Sequence, residues 1–142
     1  MVERTRLRRH DVVTAFLRRD GRILLVRRGG RVGSYRGRWS AISGYLEDPT
    51  PLAQVRREIA EETGVGPDQI ALTAAGGPID VAASERATLW VVHPFLFELA
   101  PGAEIRLDWE NVDLDWVSPD EIARRETVPR LLDAYRACET SP

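Results

Sequence analysis

Thr50-Pro51-Leu52-Ala53-Gln54-Val55-Arg56-Arg57-Glu58-Ile59-Ala60-Glu61-Glu62-Thr63-Gly64-Val65 carries its own start and stop signals. The Thr50 hydroxyl can accept one of the orphan N–H groups of a first turn, and Pro51 suits the first helical position, where its missing donor costs nothing. Gly64 is suited to the left-handed conformation that ends a helix. The spacing therefore predicts a helix from Pro51 to about Thr63, with Leu52, Val55 and Ile59 as its apolar stripe. Glu58, Glu61 and Glu62 fall at i, i+3 and i+4, on one side of it. At about 100° per residue their mean direction lies roughly 85° from that stripe, so they face a cleft edge. Like charges at this spacing oppose one another by about 0.2–0.5 kcal/mol per pair. Arg56 and Arg57 compensate in part, and a hard divalent cation with oxygen ligands is the remaining candidate. On spacing alone, a solvated acidic helix face is the commoner meaning of such a pattern.

On the N-terminal side, Val12–Leu17 and Ile23–Val26 are β-type runs joined across Asp20-Gly21, a strong hairpin signal. A Gly- and Arg-rich loop over residues 29–38 follows, then a short strand over Trp39–Ile42. On the C-terminal side, Thr88–Leu99 is a largely apolar strand in which Pro94 implies a bulge or an edge. Ile105–Leu107 and Val112–Val117 are shorter strand candidates. Ser118-Pro119 opens a further helix by the same capping logic, and a last helix spans about Val128–Cys138. Strands and helices mix without regular βαβ alternation, which favours an α+β fold or a mixed α/β sandwich in a single domain.

With 142 residues the chain suits one domain. Its 43% hydrophobic and 30% charged residues exclude a disordered chain, and no apolar run approaches the roughly 18 residues of a membrane span. We divide it into a basic arm (residues 1–9), the domain (10–138) and a short tail (139–142). The opening MVERTRLRRH lacks an apolar h-region, so a cytoplasmic protein is expected. All twenty basic residues are arginine, whose planar forks suit phosphate. Residues 1–38 hold twelve of them against Glu3, Asp11 and Asp20, while the rest of the chain holds eight against nineteen acids. This asymmetry fits an anionic ligand meeting carboxylate-held metal, or a nucleic-acid arm at Arg4, Arg6, Arg8 and Arg9. A solvated arm is commoner, so nucleic acid is disfavoured as a partner. Cys138 is the single cysteine and reads as an incidental thiol. His10 and His93 stand far apart in sequence and give no support to a histidine metal site. There is no lysine for a P-loop and no G-x-S-x-G elbow.

The run Arg57-Glu58-Ile59-Ala60-Glu61-Glu62-Thr63-Gly64-Val65 resembles the second half of the Nudix box, R-E-U-x-E-E-x-G-U with U aliphatic, at every fixed position. Gly44-Tyr45-Leu46-Glu47 looks like its first half. The hairpin ending in Leu25-Val26-Arg27-Arg28, Gly37-Arg38-Trp39 and the stretch from Glu110 to Trp116-Val117-Ser118-Pro119 also resemble the family, so the likeness spans nearly the whole chain. There is one departure. The family pattern has five residues between Gly and a first Glu, and seven more before Arg-Glu; here the interval from Gly44 to Arg57 is one residue short, and Pro49 or Thr50 stands where that Glu is expected. Asp48 is the available stand-in.

The resemblance implies an α-β-α sandwich around a mixed β-sheet. It also implies a Mg²⁺-dependent hydrolase, with Mn²⁺ as the alternative ion, that cleaves the diphosphate bond of a nucleoside diphosphate linked to another moiety. Glu58, Glu61 and Glu62, with the backbone carbonyl of Gly44, would hold the metal, and Arg57 would position the glutamates by ion pairing. Glu62, Glu98 and Glu110 are candidate general bases, with Glu110 first among those outside the box. Arg28 and Arg38 are the candidate phosphate contacts, and Tyr35 or Trp39 could stack on a base, although a plain core role is the more frequent one for Trp39. The shortened loop motivates an alternative, a nucleotide-binding or sensor domain of weak catalytic power. An isoprenoid isomerase on the same scaffold is disfavoured, because it needs a cysteine in the site and Cys138 comes too late. Homodimers are frequent in the family. The substrate itself is not identified by any further motif.

Overall fold

The computed structural model describes residues 6–83 and 86–139. Its elements are β1 (Arg8–Arg19), β2 (Arg22–Arg28), β3 (Trp39–Ser40), β4 (Ile42–Tyr45), α1 (Pro51–Thr63), β5 (Ile70–Ala75), β6 (Ile79–Ala83), β7 (Thr88–Leu99), β8 (Asn111–Val117) and α2 (Leu131–Glu139). Short 3₁₀ segments cover Pro67–Gln69 and Pro119–Arg124. The strands form one eight-stranded mixed sheet. β1 and β7 run parallel at its centre from Arg8↔Thr88 to Arg18↔Glu98, and the other strand pairs are antiparallel.

Period-two alternation along β1 assigns its two faces. Val13, Ala15 and Leu17 pack with Val55 and Ile59 of α1, whereas Phe16 packs with Leu131, Ala134 and Tyr135 of α2. Each fully buried Val or Ile contributes about 1.5–3 kcal/mol, and the two helices therefore clamp the sheet from opposite sides. This is the α+β sandwich expected. α1 is bounded as the sequence predicts: Ala53 N donates to Thr50 Oγ1 at 3.1 Å, and Gly64, at φ 75°, donates to Ala60 O. Asp20 and Gly21 both take positive φ (53° and 74°), as a two-residue hairpin turn requires.

The site is created where the sheet forks. The carboxy-terminal end of β1 pairs with β2, while Val12–Ala15 pair with β4. The strand expected over Trp39–Ile42 is accordingly two strands: β3 pairs with β2, the ladder is interrupted at Ala41, and β4 crosses to β1. β7 is likewise shared on its outer side, by β5 and then by β6. Pro94 therefore marks neither an edge nor a bulge in β7. It sits where one neighbour ends and the next begins, and its carbonyl accepts from Gly76 N at 3.0 Å.

Other expectations are corrected. Ile105–Leu107 forms no strand, because Arg106 N and Asp108 N donate to Thr63 O and Glu62 O, satisfying the orphan carbonyls at the end of α1. The turn after Ser118 is 3₁₀ and lacks a side-chain cap. The last helix begins at Leu131, after Arg130 has turned left-handed (φ 59°) and Val128 N has bonded to Trp39 O. β1 starts at Arg8, so Arg8 and Arg9 lie in the sheet. Arg4 and the rest of residues 1–5, with 140–142, fall outside the described residues.

Candidate active site

Helix α1 presents its acids unequally. Glu58 and Glu62 are buried, at 9% and 2% exposure, whereas the Glu61 side chain is largely exposed and pairs with Arg57 Nε at 3.3 Å. Arg57 Nη1 also meets Asp48 Oδ1 at 2.8 Å, so the carboxylate of the shortened loop supports this arginine. β4 crosses directly over Glu58: a Cβ on Gly44 would stand 2.2 Å from Glu58 Cδ. Only glycine leaves the carboxyl its place.

Two amides hold the buried acids. Gln54 Nε2 donates to Glu58 Oε1 and Asn111 Nδ2 donates to Glu62 Oε1, each at 3.0 Å. Glu62 Oε2 is buried with no hydrogen-bond partner. Burial, then the nearby Glu110 charge, pushes the Glu62 carboxyl up to about 9, and burial raises Glu58 as well. Glu110 is raised by burial and by Asp108, with Arg28 opposing. Arg28 is itself lowered by burial, and its guanidinium is steadied by Ser34, Nε donating to the carbonyl at 2.8 Å. Buried carboxyls lacking a counter-charge are costly unless a cation or a proton neutralises them.

Glu58, Glu110, Arg28 and Ser34 border a cavity of about 530 Å³. Arg28, Arg57, Glu58, Glu61 and Glu110 give it a charged wall, and alternate residues of the sheet (Val12 and Thr14 of β1, Ser43 and Tyr45 of β4, Trp90 and Val92 of β7) form another side. Tyr45 and Trp90 lie 5.9 Å apart, and His10 is within 6 Å of both. Tyr35 lines the opening with the Arg86 guanidinium 5.0 Å from its ring centroid.

Of the residues singled out in the sequence, Arg28, Tyr35, Gly44, Arg57, Glu58, Glu61 and Glu110 line this cavity, and Glu62 lies behind the wall on the same helix. Three do not belong to it. Arg38 donates to Thr127 O at 3.1 Å, Trp39 packs in the α2-side core beneath Arg125, and Glu98 is paired with Arg18 at 2.8 Å. β3 itself borders the cavity through Ser40, and alternation along the strand turns the neighbouring Trp39 ring to the opposite face, into the α2-side core. Sequence reasoning missed Gln54, Trp90 and Tyr45. Gln54 stands at i−4 from Glu58 on the predicted helix, and that spacing was the available signal. For the aromatic pair the signal was tertiary, since β4 and β7 meet only through β1. His93 bonds Asp11 at 2.9 Å, and Cys138 is buried with its thiol pushed up to about 11.

Among the described residues, no three Asp, Glu, His or Cys side chains form a ready-made metal cage. Mg²⁺ does not require one, because it keeps several waters and commonly uses one or two carboxylates together with substrate phosphate. The unpartnered Glu62 Oε2 beside a second buried carboxyl fits a hard cation.

Residues 8–138 match the family pattern described as NUDIX domain. A MutT-like protein of Streptomyces ambofaciens is 32% identical over 129 residues, 87% of this chain and 75% of that protein. The crystal structure of a MutT protein from Methanosarcina mazei Go1 superposes with a TM-score of 0.75 at 23% identity, covering 94% of each chain. A bifunctional NMN adenylyltransferase/ADP ribose pyrophosphatase from Francisella tularensis also reaches 0.75, at 22% identity, over 91% of this chain and 40% of that one.

Proposed function

Since this chain belongs to the NUDIX family of pyrophosphohydrolases, we propose that it is a Mg²⁺-dependent hydrolase of the diphosphate bond in a nucleoside diphosphate linked to another moiety. The observation that carries this reading is buried Glu58 at the wall of a cavity that also offers a cation and an aromatic surface, with buried Glu62 and its unpartnered Oε2 just behind it. Glu58, Glu61 and Glu62, with the Gly44 carbonyl, would hold the ion. When bound, the ion neutralises phosphate oxygens and lowers the pKa of a water.

The chain's own residues do the rest. Arg28, held by Ser34 and facing the acids, binds a phosphate oxygen. Arg57, paired with Asp48 and Glu61, positions the Glu61 carboxylate and ties α1 to the loop before it. Glu110 lines the cavity with its carboxyl raised, and accepts the proton of the attacking water as general base. Tyr45 and Trp90 offer flat surfaces on which a base can stack. The alternative, a nucleotide-binding or sensor domain, rests on the shortened loop and its missing glutamate; the pairing of Asp48 with Arg57 supports the hydrolase over it.

The test is turnover of a panel of nucleotide sugars, nucleoside triphosphates, ADP-ribose and dinucleoside polyphosphates, with and without Mg²⁺. Mg²⁺-dependent release of phosphate-containing products is expected, and Glu62→Gln should lower the rate at least about tenfold. No turnover across the panel, or an unimpaired variant, refutes the proposal.

A further inference from the structure

The loop before α1 is one residue shorter than the family spacing and lacks its glutamate, yet it is closely held. One buried side chain does this. Gln54, at 1% exposure, turns its carbonyl oxygen to the loop and its amide nitrogen to the site. Gln54 Oε1 accepts from both Glu47 N and Asp48 N at 2.8 Å, and its Nε2 donates to Glu58 Oε1 at 3.0 Å. A single planar amide thus ties two successive backbone donors of the loop to a site carboxyl, and neither end can shift without disturbing the other. The same anchoring holds Asp48 where its carboxylate meets Arg57 at 2.8 Å. Leu52 and Ala53, its neighbours in the first turn of α1, have no polar side-chain atoms with which to do this.

We propose that Gln54 is a positioning residue that aims the Glu58 carboxylate at the divalent cation and couples that aim to the conformation of the shortened loop. The idea rests on the metal-dependent reading above. The Glu58 carboxyl fills the space that a side chain at position 44 would need, and on the helix side the Gln54 amide fixes which oxygen points away. An apolar residue at 54 leaves the loop amides without their acceptor and the Glu58 carboxyl without its donor, although the helix interior tolerates the exchange in propensity.

The experiment measures Mg²⁺ alone, by calorimetry, binding to the full chain, to Gln54→Met and to Glu58→Gln with and without Gln54→Met, with thermal melting as the fold control. Gln54→Met should weaken Mg²⁺ binding about fivefold or more, and should raise the Mg²⁺ concentration for half-maximal turnover to match while excess Mg²⁺ restores kcat. In the Glu58→Gln background the same substitution should change Mg²⁺ affinity less than twofold, because its effect passes through Glu58. Should Gln54→Met fail to fold, Gln54→Ala, which leaves room for water at the loop amides, carries the same expectation. Unchanged affinity in the folded variant overturns the proposal, as does an equal loss in both backgrounds. Absence of Mg²⁺ binding by the unaltered protein instead overturns the metal-dependent reading on which it stands.

Discussion

At the scale of single residues, the site depends on a carboxyl placed where water cannot reach it. Glu62 has a folded pKa of about 9 against an ordinary 4.5. Below pH 4.5 it is protonated in both folded and unfolded chains and nothing is lost. As the pH rises toward 9 the unfolded chain releases the proton while the folded one retains it, so the metal-free fold loses stability steadily. Glu62→Gln removes this titration and keeps an acceptor for Asn111. Denaturant unfolding without metal should find the variant more stable than the parent, by on the order of 5 kcal/mol at pH 8 and by nearly nothing at pH 4. A constant difference across that range would show that Glu62 is not the group responsible. Gly44 offers the complementary case. Gly44→Ala places a methyl 2.2 Å from Glu58 Cδ, and the carboxyl must give way. Melting should change by only a few degrees, whereas Mg²⁺ affinity should fall about tenfold or more; retained affinity would mean that Glu58 has another stable position.

At the scale of elements, α1 was legible because its signals are local. Thr50, Pro51 and Gly64 bound it, and the acids follow from i, i+3, i+4 geometry alone. Thr50→Ala should cost about 1 kcal/mol in denaturant midpoint, by removing the acceptor of Ala53 N; no loss would show that the turn finds its acceptor elsewhere. β5 and β6 were illegible for the opposite reason. Ala71, Ala74, Ala75, Ala82 and Ala83 have little β propensity; β5 exists because β7 offers it ladder partners far away in the chain, and β6 because it folds back on β7 as the other arm of a hairpin. Ile105–Leu107 erred in the other direction: the residues look strand-like, but the unsatisfied carbonyls of α1 captured their amides. Arg38 was misplaced because nothing local shows that its guanidinium is taken up by Thr127 O, a contact 89 residues away, whereas Trp39 takes the core role that is the commoner one for it.

At the scale of the whole molecule, the forked sheet lets a helix on one side deliver acids to a cavity whose other side is formed by the strands themselves. The charged and aromatic regions of that cavity should therefore divide the work. Trp90→Ala, far from the acids in sequence, should raise KM several-fold while leaving kcat within about threefold, as expected for a group that binds ground and transition states alike. An equal fall in kcat and kcat/KM would assign Trp90 to the chemistry instead. The helix-borne half of the site could be read from sequence, and the strand-borne half required knowing that β1 brings β4 and β7 together.

The account stands on a divalent ion gathered by the carboxyls of α1 beside bound phosphate. Its most direct test is a crystal soaked with Mg²⁺ and a non-hydrolysable nucleoside diphosphate-linked analogue. The expected result is ion density shared by Glu58, Glu62 and a phosphate oxygen, with Arg28 on the diphosphate. Phosphate seated in the cavity with those carboxyls unmoved and no ion between them would contradict it.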